Sequence, residues 1–204
     1  MPNKTELDHM VDEYIFWYSQ YGNNYKAVGW NKPKQIMRFE SLLRFWDNLL
    51  LNNTHTIIDL GCGLGHLAEY LEEKYTSYHY TGIDINSQFI RLNKQKFAQH
   101  SFFNETADNF KNEADIIIAS GLFNRKFTDS KEFYLNTLFK MINNSYLGCS
   151  FNCLSSKAIK KNDKNFYISL YDVESVIDRT LLDGFVIDGN SIPGEITVHL
   201  RKKL

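Results

Sequence analysis

The chain has 204 residues, which is enough for one domain but too few for two well-packed hydrophobic cores. Hydrophobic residues make up 43% and charged residues 23%, and the formal net charge is −1, so we expect a folded protein without the concentrated positive surface that nucleic acids require. No apolar run approaches the roughly 20 residues that span a bilayer, and the polar N-terminus does not resemble a secretory signal. The cysteines Cys62, Cys149 and Cys153 lack zinc or disulfide spacing, so we expect buried thiols, no metal and a cytoplasmic location.

The first 52 residues predict a helical segment. Apolar residues recur at helical spacing over residues 7–18, and a turn-rich stretch follows over residues 21–32. Pro33 fits the first turn of a second helix, whose apolar stripe continues to about residue 50. Arg38 lies beside this stripe, which places a fixed cation at the edge of a buried face.

From residue 53 onward, short apolar strands alternate with helices. The sequence predicts strands at 56–60, 80–83, 101–104, 115–119, 147–154, 185–188 and 195–200, and helices at about 66–74, 87–99, 130–143 and 172–182, the last one ended by Gly184. This alternation is typical of a Rossmann-like, doubly wound α/β sheet that is mostly parallel, with an antiparallel hairpin at its C-terminal edge. We therefore expect a single domain over residues 1–204, with residues 1–52 as a helical cap on a core of residues 53–204.

The most informative segment connects the first predicted strand to the helix after it, over residues 57–67 (Ile-Ile-Asp-Leu-Gly-Cys-Gly-Leu-Gly-His-Leu). Glycines let the backbone turn sharply and approach a ligand, and the following helix N-terminus offers unpaired N–H groups. A dinucleotide loop, G-x-G-x-x-G, would place its third glycine at position 66, whereas this sequence has Gly65 followed by His66. Asp59 would also repel a pyrophosphate but tolerates a ligand with an ammonium group, so the pattern disfavours a nucleotide dehydrogenase.

A second acidic residue strengthens this interpretation. Asp84 ends the second predicted strand, just over 20 residues after Gly61. An acid at that spacing can accept hydrogen bonds from both hydroxyls of a ribose. The two acids and the glycine loop together predict a nucleoside-containing ligand.

These motifs resemble those of the class I S-adenosylmethionine-dependent methyltransferases, whose first motif is acid-x-Gly-x-Gly-x-Gly. Segments 119–124, 151–155 and 195–197 further resemble small bacterial methyltransferases that are often encoded with surface-polysaccharide or small-metabolite pathways. The resemblance implies S-adenosylmethionine as cofactor, S-adenosylhomocysteine as product, and N-terminal helices that cap the cofactor site. The cofactor-binding residues that it implies are Trp30, Arg38, Asp59, Gly61, Cys62, Gly63, Gly65, Asp84, Ile85, Glu105, Thr106, Ala107, Ser120 and Gly121.

The resemblance also suggests individual roles. Asp59 is expected near the cofactor amino group, Asp84 on the ribose, and residues 105–107 at the adenine edge. Arg38 can either pair with the cofactor carboxylate or extend from a core helix to solvent. Trp30 can either cover the cofactor or pack between helices.

The acceptor site is expected at the carboxyl ends of the fourth and fifth strands. Asn124 and Asn152 are the candidate substrate residues, and Glu195 is the candidate general base. The fourth strand is not followed by the Asn/Asp-Pro-Pro-Tyr/Phe motif of DNA, RNA and protein amino methyltransferases. The favoured acceptor is therefore a small hydroxylated molecule such as a sugar or sugar derivative. A small-metabolite N-methyltransferase and a cofactor-binding scaffold without activity remain alternatives, and the oligomeric state stays open.

Overall fold

The computed structural model describes residues 2–176, 182–189 and 191–203. Its helices are α1 (Lys4–Tyr21), α2 (Lys32–Arg44), α3 (Asp47–Asn52), α4 (His66–Lys74), α5 (Ser87–Lys96), α6 (Ser130–Asn144) and α7 (Leu170–Val176), with short 3-10 turns at Tyr25–Val28 and Leu122–Asn124. Its strands are β1 (His55–Leu60), β2 (Tyr78–Asp84), β3 (Ser101–Asn104), β4 (Ala114–Ser120), β5 (Ser145–Leu154), β6 (Leu182–Asp188) and β7 (Glu195–Lys202).

The strands form one sheet in the order β3-β2-β1-β4-β5-β7-β6. Strands β1 to β5 pair in parallel, whereas β7 runs antiparallel to both β5 and β6. This topology confirms the predicted Rossmann-like sheet with its antiparallel C-terminal hairpin. Because β7 runs antiparallel, its first residue, Glu195, pairs with Leu154 at the edge where the parallel strands end.

Helices cover both faces of the sheet, as the buried strand residues require. Ile57 and Ile58 are adjacent in β1 and belong to different hydrophobic clusters, because successive side chains of a strand point to opposite faces. The cluster of Ile58 includes apolar residues of α6, and that of Ile57 includes residues of α2, α4 and α5. Each of these helices is therefore held by the apolar stripe that its sequence predicted.

Helix α1 is attached differently from the others. A capping box between Asn3 and Glu6 starts the helix, yet none of its residues is fully buried. The Glu6 carboxylate also accepts hydrogen bonds from the Thr128 backbone (2.7 Å) and hydroxyl (2.8 Å). A salt bridge of 2.5 Å joins Glu13 to Arg125. Polar contacts from the first turn and the middle of α1 thus attach the helix to the segment between β4 and α6.

Two elements differ from their sequence-based prediction. The second helix was expected to continue to about residue 50, but it breaks after α2, where the buried Trp46 indole donates to the Ser150 hydroxyl at 2.7 Å. Gly184 was expected to end a helix but lies inside β6. That helix is described only to Val176, and residues 177–181 lie outside the described part of the chain. No helix within the described ranges combines the length and apolar character needed to cross a membrane.

Candidate active site

A cavity of about 440 Å³ opens at the edge of the sheet where the parallel strands end. Turns that follow β1, β2, β3 and β4 form much of its wall, and residues of α1, of the segment between α1 and α2, and of α2 add to it. The predicted site residues in this wall are Trp30, Asp59, Gly61, Cys62, Gly63, Asp84, Ile85, Glu105, Thr106, Ala107, Ser120, Gly121 and Asn124. Four predicted residues do not line the cavity, namely Arg38, Gly65, Asn152 and Glu195.

The glycine loop after β1 needs glycine for its backbone conformation. Gly61, Gly63 and Gly65 have φ values of +79°, +51° and +76°, in the left-handed region that other residues rarely adopt. A Cβ atom at Gly65 would also lie 2.7 Å from the Phe97 ring, whereas at Gly63 the nearest atom would be a Val28 methyl at 3.5 Å. Gly65 therefore allows α4 to pack against α5, and Gly63 keeps the wall of the cavity open.

Asp84 holds the glycine loop against the end of β2. One carboxylate oxygen accepts the Gly63 N–H at 2.8 Å, and the other accepts the Asn86 N–H at 2.8 Å. The Asn93 amide donates to the Gly63 carbonyl, also at 2.8 Å. Burial raises the pKa of Asp84, and these two backbone N–H groups oppose the rise by stabilising the charged form.

Asp59 is a buried carboxylate with one free oxygen. The side chain is only 2% exposed, and the Tyr80 hydroxyl donates to its Oδ2 at 2.7 Å. Its Oδ1 is buried and has no hydrogen-bond partner among the residues that the structure describes. Burial raises the pKa of Asp59 to about 7, the Tyr80 hydrogen bond lowers it, and the charge of Asp84 raises it. An unpaired buried carboxylate oxygen is costly, so the site is complementary to a cation such as an ammonium group.

Arg38 and Glu195 form a buried ion pair. The Arg38 Nε donates to Glu195 Oε2 at 2.6 Å and Nη2 donates to Oε1, while the side chains are 1% and 6% exposed. The guanidinium stacks on the Trp30 ring, 3.2 Å from its centre. Arg38 was expected to meet a cofactor carboxylate, but here it neutralises Glu195, which the antiparallel β7 brings to the same edge. Glu195 was expected to act as a base, but both its oxygens contact Arg38 and neither residue lines the cavity.

Asn152 supports the turn after β4 and does not line the cavity. Its side chain is fully buried, and its Oδ1 accepts the Gly121 N–H at 2.7 Å. Gly121 has a φ of +74°, and a Cβ atom there would lie 2.9 Å from the Trp30 ring. Asn152 and Gly121 therefore allow Trp30 to pack on this turn. Asn124, by contrast, does line the cavity.

The sequence did not single out several residues of the wall. Leu7, Met10, Val11 and Tyr14 on α1 line the cavity, and the apolar spacing of the first helix was the only signal for them. His66 also lies in the wall, and the sequence favoured a place in the first turn of α4 over a role as a base. Its Nδ1 is 3.1 Å from the Gln35 side-chain nitrogen, and burial lowers the pKa of the imidazole.

The cavity has no feature of a metal or thiol site. The residues that the structure describes contain no group of three or more His, Cys, Asp or Glu side chains placed to hold a metal ion. Cys62 is buried, and burial raises the pKa of its thiol well above the ordinary value. The neutral thiol can contribute packing but not a thiolate nucleophile.

The sheet order, the glycine loop and the acids at the ends of β1 and β2 define the class I methyltransferase fold with its cofactor site. A family model described as a methyltransferase domain matches residues 58–145. A protein of Mycobacterium tuberculosis that carries the name of a methyltransferase, Rv1506c, is 36% identical over 121 residues, which cover 55% of this chain and 72% of that protein. The malonyl-[acyl-carrier protein] O-methyltransferase of Bacillus anthracis is 28% identical over 150 residues, which cover 72% of this chain and 49% of that enzyme.

Solved structures show the same fold. The magnesium protoporphyrin IX methyltransferase of Synechocystis PCC 6803 with bound SAH superposes with a TM-score of 0.67 at 12% identity, and the match covers 94% of each chain. The chain belongs to the methyltransferase family, and it is an S-adenosylmethionine-dependent enzyme that releases S-adenosylhomocysteine.

Proposed function

We propose that this enzyme methylates a hydroxyl group of a small acceptor, with a sugar derivative from a surface-polysaccharide or small-metabolite pathway as the first candidate class. The observation that supports a hydroxyl acceptor is Asn124, which lines the cavity with a buried Oδ1 that has no partner within the described residues. A hydroxyl or an amine can donate to that oxygen, and the absence of the Asn/Asp-Pro-Pro-Tyr/Phe motif after β4 favours the hydroxyl. We place the reaction in the cytoplasm, because all three cysteines are free and buried.

The residues of the wall fit the cofactor. The unpaired Oδ1 of Asp59 can accept from the amino group of the methionine part, and the second lone pairs of the Asp84 oxygens can accept from the ribose hydroxyls. Residues 105–107 line the part of the wall where the adenine edge is expected. Arg38 lies behind this wall with an unpaired, buried Nη1, and it can donate to the cofactor carboxylate only after the Trp30 ring that stacks on the guanidinium moves aside.

The bound cofactor supplies an electrophilic methyl group on a sulfonium, which an acceptor attacks in line. The chain's own residues must align the acceptor, exclude water and remove the hydroxyl proton. His66 replaces Glu195 as the candidate proton acceptor, because it lines the cavity and burial favours its neutral form. In this role the Gln35 amide is turned so that its oxygen accepts from Nδ1–H, which leaves Nε2 with a free lone pair. The acceptor hydroxyl then turns its hydrogen from the Asn124 oxygen to Nε2 at the transfer step. His66→Gln should lower turnover by about 100-fold or more and leave S-adenosylhomocysteine affinity intact. Unchanged turnover would exclude this role.

Two alternatives are separated by one experiment. The purified chain is incubated with S-adenosylmethionine labelled in the methyl group and a panel of hydroxylated and amino acceptors. O-methylated product supports the proposal, and N-methylated product supports the small-metabolite N-methyltransferase. Tight S-adenosylhomocysteine binding in calorimetry without transfer to either panel would favour a cofactor-binding scaffold.

A further inference from the structure

The cavity has two parts of different chemistry. Carboxylates of Asp59, Asp84 and Glu105 lie in the part formed by the turns after β1, β2 and β3. The part beside β4 and β5 is mainly apolar, and we call it the acceptor chamber. Its apolar residues are Leu7, Met10, Val11, Phe127, Phe133 and Leu154.

Contacts at several points place the inner face of α1 over this chamber. Leu7 and Met10 pack against the hydrophobic cluster that contains Phe127 and Phe133. The hydrogen bonds of Glu6 and the salt bridge of Glu13 described above attach both halves of α1 to the segment between β4 and α6. The apolar side chains of α1 therefore form a wall of the chamber.

Two polar side chains of the chamber, those of Arg125 and Asn124, differ in whether they are already paired. The Arg125 guanidinium is held by Glu13 at 2.5 Å, and its backbone pairs with that of Asn165. Asn124 is only 9% exposed, and its backbone N–H donates to the Gly121 carbonyl at 3.2 Å. Its Oδ1 has no partner in the part of the chain that the structure describes, so it is free to bind a single donor from a ligand.

We propose that the acceptor chamber binds the apolar body of the substrate, an aryl or acyl group, and that Asn124 accepts a hydrogen bond from its one methyl-accepting hydroxyl. This inference rests on the proposed function and narrows it. A free sugar carries hydroxyls on all sides, and most of them would lose their water against apolar walls without gaining a partner. A sugar derivative fits only when it presents an apolar substituent to α1.

The probe pair is 4-ethylphenol, which has one hydroxyl on an apolar body, and glucose, which has no apolar body. Binding of each at millimolar concentration is followed by saturation-transfer NMR with the enzyme saturated in S-adenosylhomocysteine. We expect 4-ethylphenol to bind and glucose not to bind.

Met10→Gln and Leu7→Gln should weaken 4-ethylphenol binding by roughly tenfold, as expected for lost apolar contact in a pocket. Phe16→Gln, on the exposed side of α1 with 55% exposure, is the matched control and should change nothing.

The outcomes separate this inference from the proposed function. Glucose binding, binding of neither probe, or equal 4-ethylphenol binding in wild type and both α1 variants would each overturn the apolar chamber. Calorimetry of S-adenosylhomocysteine is run on every variant, and unchanged cofactor affinity shows that the variants are folded. Failure of the wild-type enzyme to bind S-adenosylhomocysteine would instead refute the proposed function.

Discussion

Replacing Asp59 by Asn tests whether the buried carboxylate serves the cofactor. The cofactor amino group is expected to lie at Oδ1, which has no partner among the described residues. A hydrogen bond to a charged group contributes about 1.5–3 kcal/mol, so Asp59→Asn should weaken S-adenosylhomocysteine binding by roughly 10- to 100-fold at pH 7.5. Calorimetry between pH 5 and 8.5 should show wild-type affinity rising through pH 7, where Asp59 is half ionised, toward a plateau at higher pH, and a flatter profile for the variant.

The same substitution should stabilise the protein without ligand. The folded-state pKa of Asp59 is raised from 3.8 to about 7, so between these values the folded state binds the extra proton and the free energy of unfolding falls as pH rises. Well above pH 7, ionisation of buried Asp59 lowers the free energy of unfolding of the unligated wild type by on the order of 4 kcal/mol. An asparagine at this position does not ionise, so the variant does not lose this stability. The variant should therefore exceed wild type in stability at pH 8, and the difference should vanish near pH 4.

Asp115→Asn is a matched control, because the same substitution should lower the free energy of unfolding at high pH instead of raising it. Hydrogen bonds from Thr56 lower the pKa of Asp115 despite partial burial, so its carboxylate stabilises the folded state above the unfolded pKa and this contribution is lost as pH falls. Asp115→Asn should reduce stability at pH 8 in urea unfolding. If Asp59→Asn is no more stable than wild type at pH 8 and its binding profile matches wild type, the assigned role of Asp59 is refuted.

Three further predictions concern the rest of the site. Gly63→Val forces a branched residue into a φ of +51° and should weaken S-adenosylhomocysteine binding at least tenfold in calorimetry, whereas Gly184→Ala, with open space around it, should not. Asp84→Ala should lose roughly 1.5–3 kcal/mol of cofactor binding, and NADH binding in its place would revive a dehydrogenase. Glu195→Gln leaves Arg38 buried without its charge partner and should cost about 3–5 kcal/mol in urea unfolding, and an unchanged midpoint would contradict the buried pair.

The sequence predicts the cofactor half of the site because its determinants are local. The acid, the glycines and the start of α4 lie within ten residues, and their conformation depends on glycine chemistry more than on distant contacts. Asp84 can be identified from the sequence because it lies just over 20 residues after Gly61, at the end of the next strand of the same strand–helix–strand unit. The mostly parallel sheet follows from the same alternation of strands and helices, because crossover connections admit few topologies.

The roles of Arg38, Asn152 and the first helix depend on contacts between segments that are distant in the chain, and residue patterns do not specify such contacts. The sequence left two roles open for Arg38, a cofactor carboxylate or solvent, since nothing near it in the chain showed that Glu195, 157 residues away, would pair with it. Asn152 was assigned to the substrate because it ends a strand, but its direction toward Gly121 depends on the register of β4 with β5. The first helix was expected in a cap over the cofactor site, but its apolar stripe did not indicate which of its side chains would line the cavity.

The position of β7 has a consequence for how the enzyme is completed. This strand lies between β5 and β6, and it carries the carboxylate that neutralises a guanidinium on α2. During synthesis on the ribosome, Arg38 on α2 emerges long before Glu195, which carries the opposite charge. The pair can form only after almost all of the core has been synthesised. Contacts of such long sequence separation form late and slowly. A nascent or C-terminally clipped chain without β7 therefore keeps a guanidinium that has no counter-charge, and we expect it to be markedly less stable than the full chain.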